Sequence, residues 1–153
     1  MIVACWSGPR NISTALMRSW SSRKDTFVSD EPLYAYYLKE TQNDHPMKEQ
    51  IINYYETDYE KLIAHLLDKI PNQKTIWYQK HMAHHLVNIK NINWIIKCEN
   101  CILLRHPKEV ISSFTLKNNL QNVKELGYPQ QYEIVQLLHC LLYTSPSPRD
   151  LST

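Results

Sequence analysis

The segment that most constrains the fold is a strand–turn–helix pattern at the start of the chain. Residues 1–5 form a short apolar run, the segment WSGPRNIST follows at positions 6–14, and a helix-like stretch occupies residues 15–20. A strand that leads through a glycine-containing turn into a helix presents backbone N–H groups and the positive helix end to an anion. With Arg10 in the turn, this pattern predicts a cradle for a phosphate or sulfate.

Strands and helices are predicted to alternate along the rest of the chain. Ser13 or Thr14 is expected to cap the first helix. Strands separated by helices of this length indicate βαβ units, so we expect an α/β fold with a mainly parallel sheet and helices on both faces. The predicted strands are residues 2–7, 27–31, 75–80 and 101–105, and the predicted helices are residues 13–22, 33–38, 47–54, 58–68, 84–88 and 107–116.

Composition and charge narrow the class of protein. Hydrophobic residues make up 43% of the 153 residues, which is enough for the core of one domain. The net charge of +2 and the lack of a dense Lys/Arg block argue against a nucleic-acid-binding protein. The sequence has no signal-peptide pattern, no apolar stretch near the roughly 18 residues of a membrane span, and no sign of a disulfide framework. We therefore expect a cytoplasmic protein with no membrane partner; the sequence does not indicate an oligomeric state.

A second anion-directed element follows the last predicted strand. Arg105 leaves the apolar run CILLR, Pro107 begins the next helix, and Ser112 and Ser113 lie two turns further on. Ligands of an open α/β sheet gather at the carboxyl ends of its strands. The two elements could therefore hold two phosphates of one nucleotide.

The sequence lacks the parts that a Mg²⁺-dependent nucleotide triphosphatase needs. Such a site requires G-x-x-x-x-G-K-[ST] and an acidic residue at the end of a neighbouring strand. Here Ile12 stands near the second glycine, Arg10 replaces the lysine, and the CILLR strand ends in Arg105. A group-transfer site that neutralises its anion with arginine, N–H groups and hydroxyls, without a metal, fits better.

Two other motifs are read as structural. His81, His84 and His85 have the i, i+3, i+4 spacing that could hold Zn²⁺, but no H-E-x-x-H frame or fourth ligand accompanies them. Cys98 and Cys101 form a lone C-x-x-C whose second cysteine lies in a predicted strand. We therefore expect no metal site.

The two anion-directed motifs, in this order and separation, resemble those of the PAPS-dependent sulfotransferases, in the bacterial-type branch with a P-loop fold. Arg105, Pro107 and Ser113 match the second family motif, R-x-P-x-x-x-x-x-S, without an insertion. The first family motif is a strand–loop–helix of the type P-K/R-S-G-T-T. Pro9, Arg10, Ser13 and Thr14 match it, whereas Asn11 and Ile12 depart from its Ser-Gly pair.

The resemblance implies a three-layer P-loop NTPase-like fold and transfer of a sulfuryl group from PAPS (3′-phosphoadenosine 5′-phosphosulfate) to a hydroxyl or amine of a small-molecule acceptor. It implies that Arg105 and Ser113 bind the 3′-phosphate, and that Arg10 also holds the transferring group. The residues implied to bind the 5′-phosphosulfate are Gly8, Pro9, Arg10, Asn11, Ile12, Ser13 and Thr14.

Two residues are candidates for the base that takes the acceptor's proton. Glu31, in DEPLY, ends the second predicted strand, where some family members place a glutamate base. His81 ends the third predicted strand beside Lys80, and other members carry a lysine and a histidine there, separated by one residue rather than adjacent. Both candidates stay open, and Lys80 is included in the expected catalytic set.

Structural roles and other functions also stay open. In the structural interpretation, Ser13 and Thr14 serve only as helix caps, Arg105 pairs with Glu109, and Glu31 is an N-cap partner or an exposed carboxylate. A P-loop kinase or NTPase and a catalytically inactive nucleotide-binding module are the alternative functions. A group of tyrosines could wall an acceptor pocket or be divided between core and surface: Tyr34, Tyr36, Tyr37, Tyr54 and Tyr55.

The C-terminal segment differs in kind from the rest. From Cys140 the chain reads CLLYTSPSPRD, with a Pro/Ser composition found nowhere upstream. This string resembles a translated sequencing-library adapter of the kind found in open reading frames assembled from environmental reads; a disordered tail is the other interpretation. We expect residues 1–139 to be a sulfotransferase-like domain that is incomplete at its C-terminus, and residues 140–153 to be non-native. Such a fragment is expected to be poorly soluble or weakly active.

Overall fold

A computed structural model shows a sheet of four parallel strands. The structure describes residues 1–41, 45–88, 91–117, 119–120 and 122–143. The strands are β1 (Ile2–Ser7), β2 (Thr26–Asp30), β3 (Ile76–Met82) and β4 (Glu99–Leu103). Their order across the sheet is β2-β3-β1-β4, so β1 is flanked by β3 and β4. Every neighbouring pair is parallel, which confirms the predicted α/β fold with a parallel sheet.

Helices connect the strands and cover the sheet. Short 3₁₀ turns occur at Pro71–Gln73, Ala83–His85, Asn93–Lys97 and Val123–Leu126. No helix among the described residues is long and apolar enough to cross a membrane. The α-helices are α1 (Ser13–Ser21), α2 (Tyr34–Thr41), α3 (Lys48–Tyr54), α4 (Tyr59–Leu66), α5 (Pro107–Thr115) and α6 (Tyr128–Tyr143).

The two faces of the sheet carry separate hydrophobic clusters. Alternate residues of β1 point to opposite faces, because successive side chains of a strand alternate. Trp6 joins the larger cluster, which includes residues of α4 and Ile134 of α6. Cys5 joins the smaller one, against Leu16 and Trp20 of α1. Helices therefore lie on both faces, and the predicted three-layer architecture is confirmed.

The predicted helix at residues 84–88 is wrong. Strand β3 continues to Met82, and the chain then makes only a 3₁₀ turn at Ala83–His85 before leaving helical geometry. His85 is 2% exposed and stacks on Tyr37 with ring centroids 4.7 Å apart. Tertiary burial of this histidine fixes the turn where the local pattern predicts a longer helix.

The bounds of the last predicted strand also differ. Strand β4 begins at Glu99 and ends at Leu103, so Arg105 lies in the turn that precedes α5 rather than in the strand. At the other end of the domain, helix α6 runs through Tyr143 and passes the boundary predicted at Cys140. The Pro/Ser switch at residues 145–148 lies outside the described residues.

Candidate active site

The two anion-directed motifs meet because their strands are neighbours. Ser7, the last residue of β1, is in register with Leu103, the last residue of β4. The loops that follow therefore leave the same edge of the sheet side by side. The guanidinium Nε of Arg10 donates to Oγ of Ser113 at 2.8 Å, and Nη1 of Arg105 donates to the main-chain oxygen of Arg10 at 3.1 Å.

These residues enclose a cavity of about 310 Å³. This cavity is lined by all of the residues that are predicted to bind the nucleotide, except for Gly8 and Pro9, which lie in the same loop. None of the described residues that line it carries a carboxylate. The exposed side-chain donors are two guanidinium groups and hydroxyls, a set suited to an anion. The lining residues are Arg10, Asn11, Ile12, Ser13, Thr14, Arg105 and Ser113.

The expectation that Ser13 or Thr14 caps α1 is wrong. The N-cap residue is Ile12, in the left-handed region with φ 62°, and it makes no side-chain cap hydrogen bond. The first N–H groups of a helix have no acceptor within the helix. Without a side-chain cap, these groups and the positive helix end remain available to an anion in the cavity.

The loop between β1 and α1, residues 8–12 and called here the cradle loop, has an unusual backbone conformation. Arg10 has φ 63° and Ile12 has φ 62°, both in the left-handed region. A β-branched residue rarely adopts this region, and such strain persists only where the surroundings fix it. The side chain of Ile12 is 64% exposed, so it gains little burial in return.

Two buried amides fasten the loop to the sheet. Asn11 is 3% exposed, and its Nδ2 donates to the main-chain oxygen of Leu103 at 3.1 Å. Nε2 of Gln131 donates to the main-chain oxygens of Trp6 at 3.2 Å and Leu103 at 3.0 Å. Gln131 therefore bridges the ends of β1 and β4 from α6. In the sequence, Gln131 is marked only by its place in a polar Gln pair after a Gly-Tyr-Pro turn, which is a weak signal.

Gly8 is required by close packing rather than by its dihedral angles. A Cβ atom at this position would lie 2.1 Å from the main-chain oxygen of Leu126. The glycine therefore lets the 3₁₀ turn before α6 approach the cradle loop.

The predicted pairing of Arg105 with Glu109 occurs alongside the contact with the cradle. Nε of Arg105 donates to Oε2 of Glu109 at 2.8 Å, while its Nη1 reaches Arg10. The hydrogen bond from Arg105 and its charge lower the pKa of Glu109. This contact orients the guanidinium of Arg105 and does not exclude it from the cavity, which it lines.

Glu31 and Lys80 form a charged cluster at the same edge of the sheet. Nζ of Lys80 lies 2.7 Å from Oε1 of Glu31 and 2.7 Å from Oδ1 of Asp30. Burial lowers the pKa of Lys80, but the hydrogen bonds and charges of both carboxylates outweigh it, so the pKa is raised overall and the ammonium stays charged. The Lys80 side chain is 3% exposed, whereas that of Glu31 is 31% exposed. The carboxylate is thus held by a buried cation and still open to solvent.

His81 occupies a different environment. It is 1% exposed and stacks on Trp6 with ring centroids 4.4 Å apart. Its Nε2 lies 3.1 Å from Oε1 of Gln79, and burial lowers its pKa to about 3. The imidazole is therefore neutral and enclosed by the core. Of the two candidate bases, only Glu31 is open to solvent.

The remaining histidine and cysteine motifs do not assemble as the spacing suggests. Cys101 is in register with Cys5 of the neighbouring strand, and its thiol is the main cause of the lowered pKa of Cys5, about 7. His84 and His85 face a separate cavity of about 740 Å³. Within the described part of the chain, no three His, Cys, Asp or Glu residues are grouped to hold a metal ion.

Comparison with known proteins identifies the family to which this chain belongs. The model of a sulfotransferase-domain family matches residues 1–151. The chain therefore belongs to the sulfotransferase-domain family, a family of transferases. No solved structure matches it.

Two curated relatives come from Arabidopsis thaliana. The chain is 32% identical over 146 residues to the branched-chain-amino-acid aminotransferase-like protein 2, a match that covers 95% of this chain and 26% of that protein. It is also 32% identical over 149 residues to the branched-chain-amino-acid aminotransferase-like protein 1, a match that covers 97% of this chain and 26% of that protein. The chain thus spans about a quarter of the length of these relatives.

Proposed function

We propose that this chain transfers a sulfuryl group from PAPS to a hydroxyl or amine of a small-molecule acceptor, without a metal ion. The observation that carries the proposal is the contact of Arg10 with both Ser113 and Arg105 around one cavity. These contacts bring together the two motifs that resemble the phosphosulfate and 3′-phosphate motifs of PAPS-dependent sulfotransferases.

The chemistry of the lining residues fits an anionic donor. Arg10, the hydroxyls of Ser13 and Thr14 and the uncapped start of α1 would hold the 5′-phosphosulfate. Arg105 and Ser113 would hold the 3′-phosphate. The lack of a carboxylate among the described lining residues supports a site that neutralises its ligand directly, without a bridging Mg²⁺.

PAPS supplies an activated sulfuryl group in a phosphosulfate anhydride. During transfer a bond forms between the acceptor oxygen or nitrogen and sulfur, while the bond between sulfur and the phosphate oxygen breaks and its electron pair stays on the phosphate. Arg10 and the N–H groups of α1 are placed to stabilise the charge that grows on that phosphate. The carboxylate of Glu31, positioned by Lys80, takes the acceptor's proton.

The aminotransferase-like names of the two plant relatives do not decide the reaction, since the chain spans only about a quarter of those proteins. The kinase alternative requires a metal-binding carboxylate beside the cradle. The nearest acidic group of the second motif, Glu109, is instead paired with Arg105.

Calorimetry of adenosine 3′,5′-bisphosphate in EDTA, and of ATP with Mg²⁺, tests the proposal. We expect the bisphosphate to bind without metal and more tightly than ATP with Mg²⁺. A preference for ATP with Mg²⁺ would favour the kinase or NTPase alternative. Tight binding of the bisphosphate without turnover of PAPS by any of a panel of hydroxyl and amine acceptors would favour the inactive nucleotide-binding module.

A further inference from the structure

A cavity of about 740 Å³ adjoins the proposed donor site. Pro9 of the cradle loop and Phe114, which follows Ser113, both line it. Tyr34 lines this cavity and also a smaller one of about 410 Å³ that includes Glu31. The larger cavity therefore adjoins the cradle on one side and shares the Tyr34 wall with the cavity that holds Glu31.

Aromatic and imidazole rings form one wall of this cavity. The ring of Tyr37 stacks on His85 with centroids 4.7 Å apart, and Tyr34 lies 5.2 Å from the same imidazole. His84 meets Tyr37 edge-on at 5.4 Å, and His45 meets Tyr34 edge-on at 5.6 Å. A planar ring can pack against such a surface by stacking or edge contacts, which favour aromatic over saturated ligands.

Two ring nitrogens in this wall lack partners. Nδ1 of His84 and Nδ1 of His85 are buried and make no hydrogen bond. Burial lowers the pKa of His84 to about 4 and that of His85 to about 2, so both imidazoles are neutral near pH 7. Buried polar atoms are normally hydrogen-bonded. A polar group of a ligand in the cavity would supply the missing partner.

The charge of the lining is balanced. Lys117 and Glu125 are the charged residues among those that line the cavity, and their charges are opposite. Because His84 and His85 are neutral, the buried ring wall beside these two residues carries no charge that would select an ionised ligand. The cavity thus suits an uncharged, planar molecule with polar substituents.

We propose that this cavity is the acceptor site and that its acceptor is an uncharged aromatic hydroxyl compound with a second polar substituent. The ring lies against Tyr34, Tyr37 and His85, the reacting hydroxyl faces the cradle beside Pro9, and the second substituent bonds to the free Nδ1 atoms of His84 and His85. This inference rests on the proposed sulfotransferase function.

Direct binding tests the inference independently of turnover. The probes are 2,6-dihydroxynaphthalene, 2-naphthol with a single hydroxyl, decahydro-2-naphthol as the saturated analogue, and 2-naphthoate as a charged one. Affinities are measured by calorimetry on the 153-residue chain with adenosine 3′,5′-bisphosphate present. We expect 2,6-dihydroxynaphthalene to bind at least about tenfold more tightly than the saturated and charged analogues, a difference of the size of one net hydrogen bond or aromatic contact.

The variant His85→Phe keeps a ring at this position and removes its nitrogens. We expect it to weaken binding of 2,6-dihydroxynaphthalene by about tenfold and to leave 2-naphthol unchanged within about twofold. His65→Phe, the same substitution at an exposed histidine of α4, should change neither. If His85→Phe does not fold, His84→Phe serves for the same comparison.

Equal affinity for the saturated analogue, or no effect of both histidine substitutions, would overturn the inference. Binding of adenosine 3′,5′-bisphosphate without binding of any naphthol also overturns it, but leaves the proposed function standing. Binding of the naphthols without binding of the bisphosphate overturns the proposed function, and with it the assignment of this cavity as an acceptor site.

Discussion

Arg10 donates from Nε to Oγ of Ser113 at 2.8 Å, although 103 positions separate the two residues in the chain. Arg105 in turn donates to the main-chain oxygen of Arg10 at 3.1 Å. Each motif therefore positions a group of the other. The parallel pairing of β1 with β4 makes this possible, because it brings the ends of both strands to one edge. The two motifs therefore form one contiguous group around the cavity, as the proposed anion site requires.

Substitution of Arg105 tests the proposed 3′-phosphate site separately from the proposed 5′-phosphosulfate site. Arg105→Ala should lower the affinity for adenosine 3′,5′-bisphosphate by about 10- to 100-fold, since a charged hydrogen bond to phosphate contributes about 1.5–3 kcal/mol. The affinity for 5′-AMP, which lacks the 3′-phosphate, should fall much less. Calorimetry with both nucleotides measures the difference.

Arg23→Ala is the matched control, because Arg23 is an exposed arginine paired with Asp25 and lies outside the cavity. It should leave both affinities unchanged. Equal losses for the two nucleotides in Arg105→Ala would show that Arg105 acts only through the cradle loop, and would contradict a 3′-phosphate site.

The order of the four strands and of helices α1 to α5 could be predicted because it depends on local patterns, whereas the helix predicted at residues 84–88 does not form and α6 is not among the predicted helices. Apolar runs, turn residues and helical spacing place all four strands correctly to within about two residues at each end. The convergence of the two motifs also follows, since parallel strands carry their ligands at one edge. These features depend on short stretches of sequence and on general rules of topology.

Contacts that depend on tertiary packing could not be predicted. Gln131 reaches Trp6 across 125 positions, and the polar Gln pair at the start of α6 does not indicate which residue it contacts. Cys101 is three residues from Cys98 in the sequence, but in the sheet it lies beside Cys5. The register of β1 with β4, and not the spacing along the chain, sets its neighbour. Likewise, Glu31 and His81 are both predicted at the ends of strands, and the sequence pattern does not show that His81 is enclosed against Trp6 whereas Glu31 is partly exposed.

The two carboxylates that bind Lys80 differ in the role expected of them. Glu31→Gln should lower kcat for sulfuryl transfer to a phenolic acceptor by about 10²- to 10⁴-fold, the usual contribution of a general base. Asp30→Asn removes the other carboxylate at the same 2.7 Å from Nζ of Lys80 and should cost far less. Release of adenosine 3′,5′-bisphosphate from PAPS gives the rate.

His81→Phe completes this comparison. Because His81 is enclosed by the core, this variant should keep kcat within about tenfold of the wild type if it folds, less than the usual contribution of a general base. A larger loss in folded His81→Phe than in Glu31→Gln would assign the base to His81 and contradict the proposed mechanism.

The strained residue of the cradle loop predicts a gain of stability. Ile12→Gly should stabilise the chain by about 1 kcal/mol, because the left-handed conformation costs an L-residue about 1–2 kcal/mol and glycine almost nothing. Little burial is lost, since the side chain is 64% exposed. Leu116→Gly, at a position that is 83% exposed and has φ −64°, should instead lower stability slightly. Thermal denaturation distinguishes the two; a lower Tm for Ile12→Gly would show that the isoleucine side chain stabilises the loop.

Buried histidines predict loss of stability in mild acid. Burial lowers the pKa of His81 to about 3 and that of His85 to about 2, while the unfolded chain titrates near the usual 6.5. Between these values the unfolded state binds protons that the folded state does not. The stabilising contribution is therefore complete above pH 6.5 and is lost as the pH falls from 6.5 towards the folded-state values.

The free energy of unfolding, measured by urea denaturation between pH 7.5 and 5, should fall by up to about 1 kcal/mol per pH unit for each of these two histidines below pH 6.5. His81→Phe should remove the contribution of one proton from this slope, about 1 kcal/mol per pH unit, whatever its effect on stability at pH 7.5. A wild-type stability that stays constant from pH 6.5 to 5 would contradict the burial of both imidazoles, and with it the enclosed position that separates His81 from Glu31 as a base.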